Sequence, residues 1–324
     1  MNMRQFLSGC AALALAASQL SGSAWAQSYP VKVVRYLIPD APGSGNDTIG
    51  RIMAESLSEV FGQQVIVDNR PGAGTTIGFA IGAKAPPDGY TLIQNGSGFA
   101  AAPSLYRNLP FDVLRDFAPV TQFATSPQIV VVHPSLPVRT LSDLVKLAKS
   151  KPGALNYASA GTGSSTFFAT EMFKERAGVS MVHVPYRSGG AAITAILSGE
   201  SPVYFAPVAT ALPHLGSRLR PLAVTTLQRL PLLSEVPTVH ELGYRGFEAG
   251  NWYGLLVPAA TPPETIATIN RAALTALKRV TKRLNELAYI PVGSRPDEYA
   301  AYIKAEMQKV AQTYQRLALK PSSL

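Results

Sequence analysis

Val31-Lys32-Val33-Val34-Arg35-Tyr36-Leu37-Ile38-Pro39-Asp40-Ala41-Pro42-Gly43-Ser44-Gly45-Asn46-Asp47 carries the decision about the fold. Residues 31–38 are a β-branched run that predicts a strand, residues 39–46 a loop rich in proline and glycine, and Asp47 is placed to cap a helix. Ile49, Ile52, Met53, Leu57 and Val60 then recur at helical spacing and give that helix one apolar face. A strand that passes through a glycine loop into an amphipathic helix opens a β-α-β unit, whose strands pair in parallel. The same grammar returns further on. Residues 155–158 predict a strand, Ser159-Ala160-Gly161-Thr162-Gly163-Ser164 a loop, and Ser165 opens a helix with Phe168, Met172 and Phe173 along one face.

Around these two units the chain keeps alternating strand and helix, which is the pattern of an α/β fold with mostly parallel sheets. Further strands are expected at 64–67, 91–94, 128–132, 181–184, 203–205, 219–224 and 252–257, and helices at 140–149, 191–197, 263–287 and 296–319. Thr140-Leu141-Ser142-Asp143 and Ser294-x-x-Asp297 have capping-box spacing for two of the helices. The two terminal helices bring no sheet of their own, so they are expected to return and cover the first unit. That divides the mature chain into a discontinuous domain, 27–127 plus 252–324, and a continuous one, 128–251. The crossings near 126–132 and 250–257 would then form a hinge.

Length and composition agree. The 324 residues are 47% apolar, enough for two cores. Residues 1–26 read as a signal peptide: Arg4 supplies the positive end, residues 6–20 the apolar stretch, and Ala24-Trp25-Ala26 the cleavage site. Leu7-Ser8-Gly9-Cys10 sits too early to be a lipobox. Cleavage after Ala26 would remove Cys10, the one cysteine, so an exported fold would rest on its core without a disulfide. No later run is apolar and long enough to cross a bilayer, which implies a soluble periplasmic protein. The net charge of +9 suits anionic small molecules. With no run of Lys or Arg, nucleic acid is not the expected partner.

A glycine loop between a strand's carboxyl end and a helix presents unpaired N–H groups and the positive end of the helix dipole, and so binds a carboxylate without needing a cation. Pro42, Gly43, Ser44, Gly45, Asn46 and Asp47 form one such candidate, joined by Asn95 just after the third expected strand. Ser159, Gly161, Thr162, Gly163, Ser164 and Ser165 form the other, with Thr166 adding to a hydroxyl-rich lining. Some of these hydroxyls would cap the helix, and Asp47 is equally open to a structural role. Enzyme readings find no support: Gly-x-Ser-x-Gly and His-Glu-x-x-His are absent, and His133, His183, His214 and His240 lack metal-ligand spacing. No catalytic residue, cofactor or metal is expected.

Several segments together resemble one family. Pro42-Gly43-Ser44-Gly45-Asn46-Asp47, Val67-Asp68-Asn69-Arg70-Pro71-Gly72-Ala73-Gly74, Ala85-Pro86-Pro87-Asp88-Gly89-Tyr90-Thr91-Leu92 and His183-Val184-Pro185-Tyr186-Arg187 are similar to the solute receptors of tripartite tricarboxylate transporters, the TctC-like or Bug proteins. So are Asp116-Phe117-Ala118-Pro119-Val120 and Val236-Pro237-Thr238-Val239. The resemblance implies a two-domain periplasmic binding protein, each domain a mostly parallel sheet flanked by helices, with the ligand cleft between the domains. It implies a monomer that closes on a small carboxylate, grips it with the loops 42–47 and 159–165, and delivers it to a two-component membrane permease or, alternatively, to a membrane sensor. A hydrolase of small esters is the reading from another class, and catalytic turnover would be its mark. Three positions depart from the family's pattern: Asp40 where a bulky apolar residue is common, Phe167 where many members carry His, and Ala206 where Asp is common. With Phe167 and Ala206 lining the cleft, the ligand would have an apolar or aromatic body.

Overall fold

The computed structural model describes residues 29–321. The expected signal peptide and its cleavage site lie outside the described residues. β1 (Val34–Ile38) sits between β2 (Val65–Asn69) and β3 (Thr91–Gly96) and is parallel to both. Next to β3 comes β9 (Gly250–Pro258), antiparallel, and beyond it the first part of β4 (Phe117–Val132), antiparallel to β9. β10 (Ile290–Pro291) pairs with β4 at Ala124 and Thr125.

The last five residues of β4 belong to a second arrangement. There β4 runs antiparallel to β7 (Val203–Pro207) and β8 (Arg220–Val224), while β5 (Asn156–Ser159) is parallel to β7 and to β6 (Val182–Pro185). The two half-sheets therefore read β2-β1-β3-β9-β4 and β6-β5-β7-β4-β8, and in each the fourth strand opposes the other four. One strand is thus the fifth of the first half and the fourth of the second. Pairing of β4 with β9 ends at Pro127, and pairing with β7 begins at Gln128. Irregularities after Pro119 and Gln122 absorb the register change, as expected where a proline has no N–H to offer the ladder.

Helices cover both halves. α1 (Gly45–Phe61) follows β1 and packs under α8 (Pro263–Glu286), where Ser56 Oγ donates to the Ala276 carbonyl at 3.0 Å and Arg279 and Arg283 reach Glu59 and Glu55. α2 (Thr76–Ala83) and α3 (Ser97–Leu105) lie on the opposite face with α9 (Pro296–Arg316). Phe79, Phe99, Phe111 and Phe117 form an aromatic cluster there, centroids 4.7 to 6.5 Å apart. In the second half α4 (Leu141–Ser150) and α5 (Ser165–Ala177) share one core, while α6 (Gly189–Leu197) and α7 (Val208–Ala211) share the other. The pleat divides them: Phe205 enters the first core and its neighbour Ala206 the second.

Two expected caps are corrected. Ser44, not Asp47, is the N-cap of α1, its Oγ accepting from the Asp47 amide at 3.1 Å. Ser294 does not cap α9. It stands one residue earlier and accepts from the Gln122 amide at 2.8 Å, which ties the chain entering α9 to β4.

Candidate ligand-binding site

The carboxyl ends of β1 and β5 occupy equivalent places in the two half-sheets, and each leads through a glycine loop into a helix. In the first loop the Asp47 carboxylate is the fastener. It accepts from the Gly43 amide at 2.8 Å, from Arg51 Nε at 3.0 Å and from Asn69 Nδ2 at 2.9 Å. Burial alone would raise this carboxyl, but the bonds from Arg51, Gly43 and Asn69 outweigh it and hold Asp47 below its ordinary value. Asp40 works beside it, accepting from the Ala41 amide and from Asn46 Nδ2. The bonding capacity of Asp47 is thereby spent on the loop. Pro42, Gly43 and Gly45 remain exposed and Ser44 and Asn46 half-buried, while the first-turn amides of Gly45 and Asn46 meet no protein acceptor among the described residues. These are the donors a helix start leaves over.

The second loop follows the same plan with hydroxyls in place of carboxylates. Ser164 caps α5, its Oγ within reach of the Phe167 amide at 3.2 Å, the Gly161 carbonyl at 2.7 Å and Thr166 Oγ1 at 2.9 Å. Ser159, fully buried, accepts from the Gly161 amide and pairs with His183 Nε2 at 2.6 Å. Desolvation pushes the His183 imidazolium down, which favours the neutral ring in that pair. Gly161 and Gly163 have φ of +108° and +89°, and a side chain at Gly163 would run into Leu105 of α3. Ser159, Ser164 and Thr166 thus hold the loop in shape. Exposed Thr162 and half-buried Ser165 keep their hydroxyls free of protein partners among the described residues, and so do the amides of Thr162, Gly163, Ser165 and Thr166.

The structure places three of the expected cleft residues in its interior. Phe167 is 4% exposed, in the core of the second half with its ring 4.8 Å from His183 and 5.4 Å from Phe168. Ala206 is fully buried with Ile129 and Val224. Asn95 turns into the first half, where its Oδ1 accepts from the Tyr299 hydroxyl at 2.6 Å. Side chains unremarked in the sequence do the positioning instead. Gln94 donates to the Asn46 carbonyl at 2.6 Å and so supports the start of α1 from below. Asn69, inside the Asn-Arg-Pro-Gly run, ties the Asp40 carbonyl and Asp47 together. Asn251, on β9, accepts from the Ser97 amide at 3.0 Å and caps α3. The Tyr253 hydroxyl lies 3.0 Å from where a Cβ at Gly45 would sit, so a side chain there would be tight. A polar residue opening an apolar strand was the available signal for Asn251.

Gly96 lies beside both Asn46 and Asn251, and the next residue, Ser97, lines one cavity with Gly250 and Ser165. The two loops are connected in this way across the crossing strands. Their free donors can hold an anion's oxygens with neutral dipoles. Among the described residues no group of three His, Cys, Asp or Glu side chains is arranged to hold a metal, and no helix is long and apolar enough to cross a membrane.

Known proteins share this fold. Residues 49–319 match the tripartite tricarboxylate transporter family receptor. Protein BugT of Bordetella pertussis is 32% identical over 96% of this chain and 97% of its own. Among solved structures, R. palustris Rpa4515 with adipate superposes with a TM-score of 0.84 at 32% identity, covering 91% of this chain and all of its own. MatC from Rhodopseudomonas palustris with bound malate gives 0.78 at 28% identity, over 88% and 99%. These neighbours have the two-domain periplasmic binding protein fold.

Proposed function

Because this chain belongs to the tripartite tricarboxylate transporter receptor family, we propose that it captures a small carboxylate in the periplasm and hands it to the membrane permease of such a system, without chemical conversion. The observation that carries this reading is the pair of helix starts, Gly45-Asn46 and Ser165-Thr166, whose amides are unclaimed and whose loops occupy equivalent ends of two like-ordered half-sheets. Adipate and malate on two relatives are both carboxylates, which supports the ligand class. The lobes are residues 27–127 with 252–324 and residues 128–251. The change of pairing at Pro127 and Gln128 supports that border, and it leaves β4 and β9 as the hinge. Both gripping loops come from one chain, so a monomer suffices.

Mono- and dicarboxylates screened by thermal shift test this directly, since a ligand bound by the native state alone raises the melting temperature. At least one acid is expected to bind, and Ser165→Ala to weaken it by about 1.5–3 kcal/mol, as for a hydrogen bond to a charged group. Silence across all carboxylates together with a response to a neutral sugar would refute the proposal. Persistent consumption of an ester by rigorously purified protein would instead restore the hydrolase reading.

A further inference from the structure

His183 stands opposite Tyr157 on the outermost strand of the second half, and their rings stack with centroids 5.0 Å apart at 23°. Phe167 of α5 brings a third ring within 4.8 Å of the imidazole. The Tyr157 hydroxyl is spent on Glu171, which also accepts from Lys174 Nζ at 2.6 Å, so it makes no claim on His183. Held between a strand and a helix, the ring brings Nε2 within 2.6 Å of Ser159 Oγ.

The direction of that bond follows from what Ser159 has left to give. Ser159 is wholly buried, and its Oγ already accepts from the Gly161 amide at 3.0 Å. A hydroxyl has one proton to donate, and among the described residues His183 Nε2 is the only acceptor it meets. With a proton on Nε2, in the other neutral tautomer or in the imidazolium, the Ser159 proton would be stranded in the interior. Ser159 therefore donates, and the ring is neutral with its own proton on Nδ1. Burial of the imidazole favours the same neutral form.

From His183 the bonds run on to the start of α5. Ser159 holds the Gly161 amide, the Gly161 carbonyl accepts from the Ser164 hydroxyl at 2.7 Å, and Ser164 Oγ accepts from the Phe167 amide at 3.2 Å. The Tyr186 amide, just past β6, donates to the Ser159 carbonyl at 3.0 Å and ties the same turn to the strand end. Gly161 has φ +108°, a setting that glycine enters and leaves freely, so these bonds and not the backbone keep the turn in shape. The unclaimed amides of Thr162, Gly163, Ser165 and Thr166 belong to that turn.

We propose that His183 is a positioning residue of the carboxylate site: by accepting the Ser159 proton it orients the hydroxyl that holds Gly161, and so sets the loop whose free amides meet the ligand. The assignment rests on the reading of the glycine loops as that site and adds a residue that acts on it through Ser159.

Two substitutions at one position separate positioning from packing. In His183→Gln the amide oxygen can stand where Nε2 stands and accept from Ser159, but the stacked ring is gone. In His183→Phe the ring stays against Tyr157 and Phe167, but the acceptor is gone. The full protein and both variants are titrated calorimetrically with adipate and malate, the acids on two relatives, and with the strongest acid from the thermal screen. His183→Gln should bind within about twofold of the unmodified protein, and His183→Phe about tenfold more weakly. Ser159→Ala should weaken binding to a like degree, and adding His183→Phe to it should cost little more, because both changes break one bond. Melting curves report whether each variant is folded. Full affinity in folded His183→Phe beside a weakened His183→Gln would make the ring a packing element and overturn the positioning role, as would losses that add in the double variant. Failure of the unmodified protein to bind any carboxylate would overturn the loops themselves, and the role of His183 with them.

Discussion

Asp47 shows how a residue with the look of a ligand contact can be used up by its own loop. The sequence offered it as a helix cap or as an acceptor for a ligand. In the structure it accepts from Gly43, Arg51 and Asn69 and has little left to give. Asp47→Asn keeps the shape but puts an NH2 donor where one carboxylate oxygen accepted, so either Asn69 or the Gly43 and Arg51 donors lose their acceptor, at a cost of about 1–3 kcal/mol. The sign of the pH effect follows from the depressed value of the folded carboxyl. Its stabilisation is complete above the unfolded value of about 3.9 and is lost as pH falls through the lower folded value. Urea midpoints followed into acid should therefore decline less steeply for Asp47→Asn than for the unmodified protein, and identical slopes would mean the carboxylate contributes nothing. The glycines of the two loops differ in the same legible way. Gly43 has φ +79° with open space around it, so Gly43→Ala should cost about 1 kcal/mol for the left-handed backbone alone. Gly163→Val adds a collision with Leu105, 2.5 Å from where its Cβ would sit, and should be the more destabilised of the two in melting experiments. The glycine pattern was visible in the sequence. Gly163's packing against Leu105 was not, because that contact joins residues far apart in the chain.

At the scale of elements, periodicity found what packing made regular. The helices after both glycine loops, the capping box at Thr140 and Asp143, and the two long terminal helices all stand where apolar spacing put them. Five of the named elements escaped, among them α7 and β10, which are too short to show a period. α2 and α3 carry glycines, and α3 a proline as well, so their helical propensity is poor, and burial of Phe79 in one and of residues 99–102 in the other sustains them. The first part of β4 is interrupted by Pro119 and broken in register, so no run of alternation marks it. Phe167 illustrates the remaining gap. Its position on the first turn of α5 was compatible with both cleft and core, and only the neighbouring strands β5 and β6, which bring Tyr157 and His183 beneath the helix, favour the core. Phe167→Ala should accordingly cost about 3–5 kcal/mol in stability and leave the order of preference among carboxylates as it was. A reordered preference with unchanged stability would return Phe167 to the cleft.

The molecule as a whole joins two like-ordered half-sheets through a strand they share, and this was the least legible feature. Sequence patterning delivers strands one at a time, whereas the double membership of β4 depends on partners from both halves. The cores interlock as well: Ala101, Val310 and Tyr314 from the first half enter a core of the second, and Ala288 enters the other. Excising either half would uncover buried surface of its partner, so the halves should unfold together. A ligand gripped by both loops then stabilises the entire fold. At a ligand concentration of 100 times the dissociation constant the gain is about 2.7 kcal/mol, and at roughly 2–4 °C per kcal/mol for a chain of this size the melting temperature should rise by about 5–10 °C. Calorimetry is expected to show one transition that moves as a unit. Two transitions of which only one responds would mean that the halves melt independently, that β4 transmits little between them, and that the ligand is held by one loop alone.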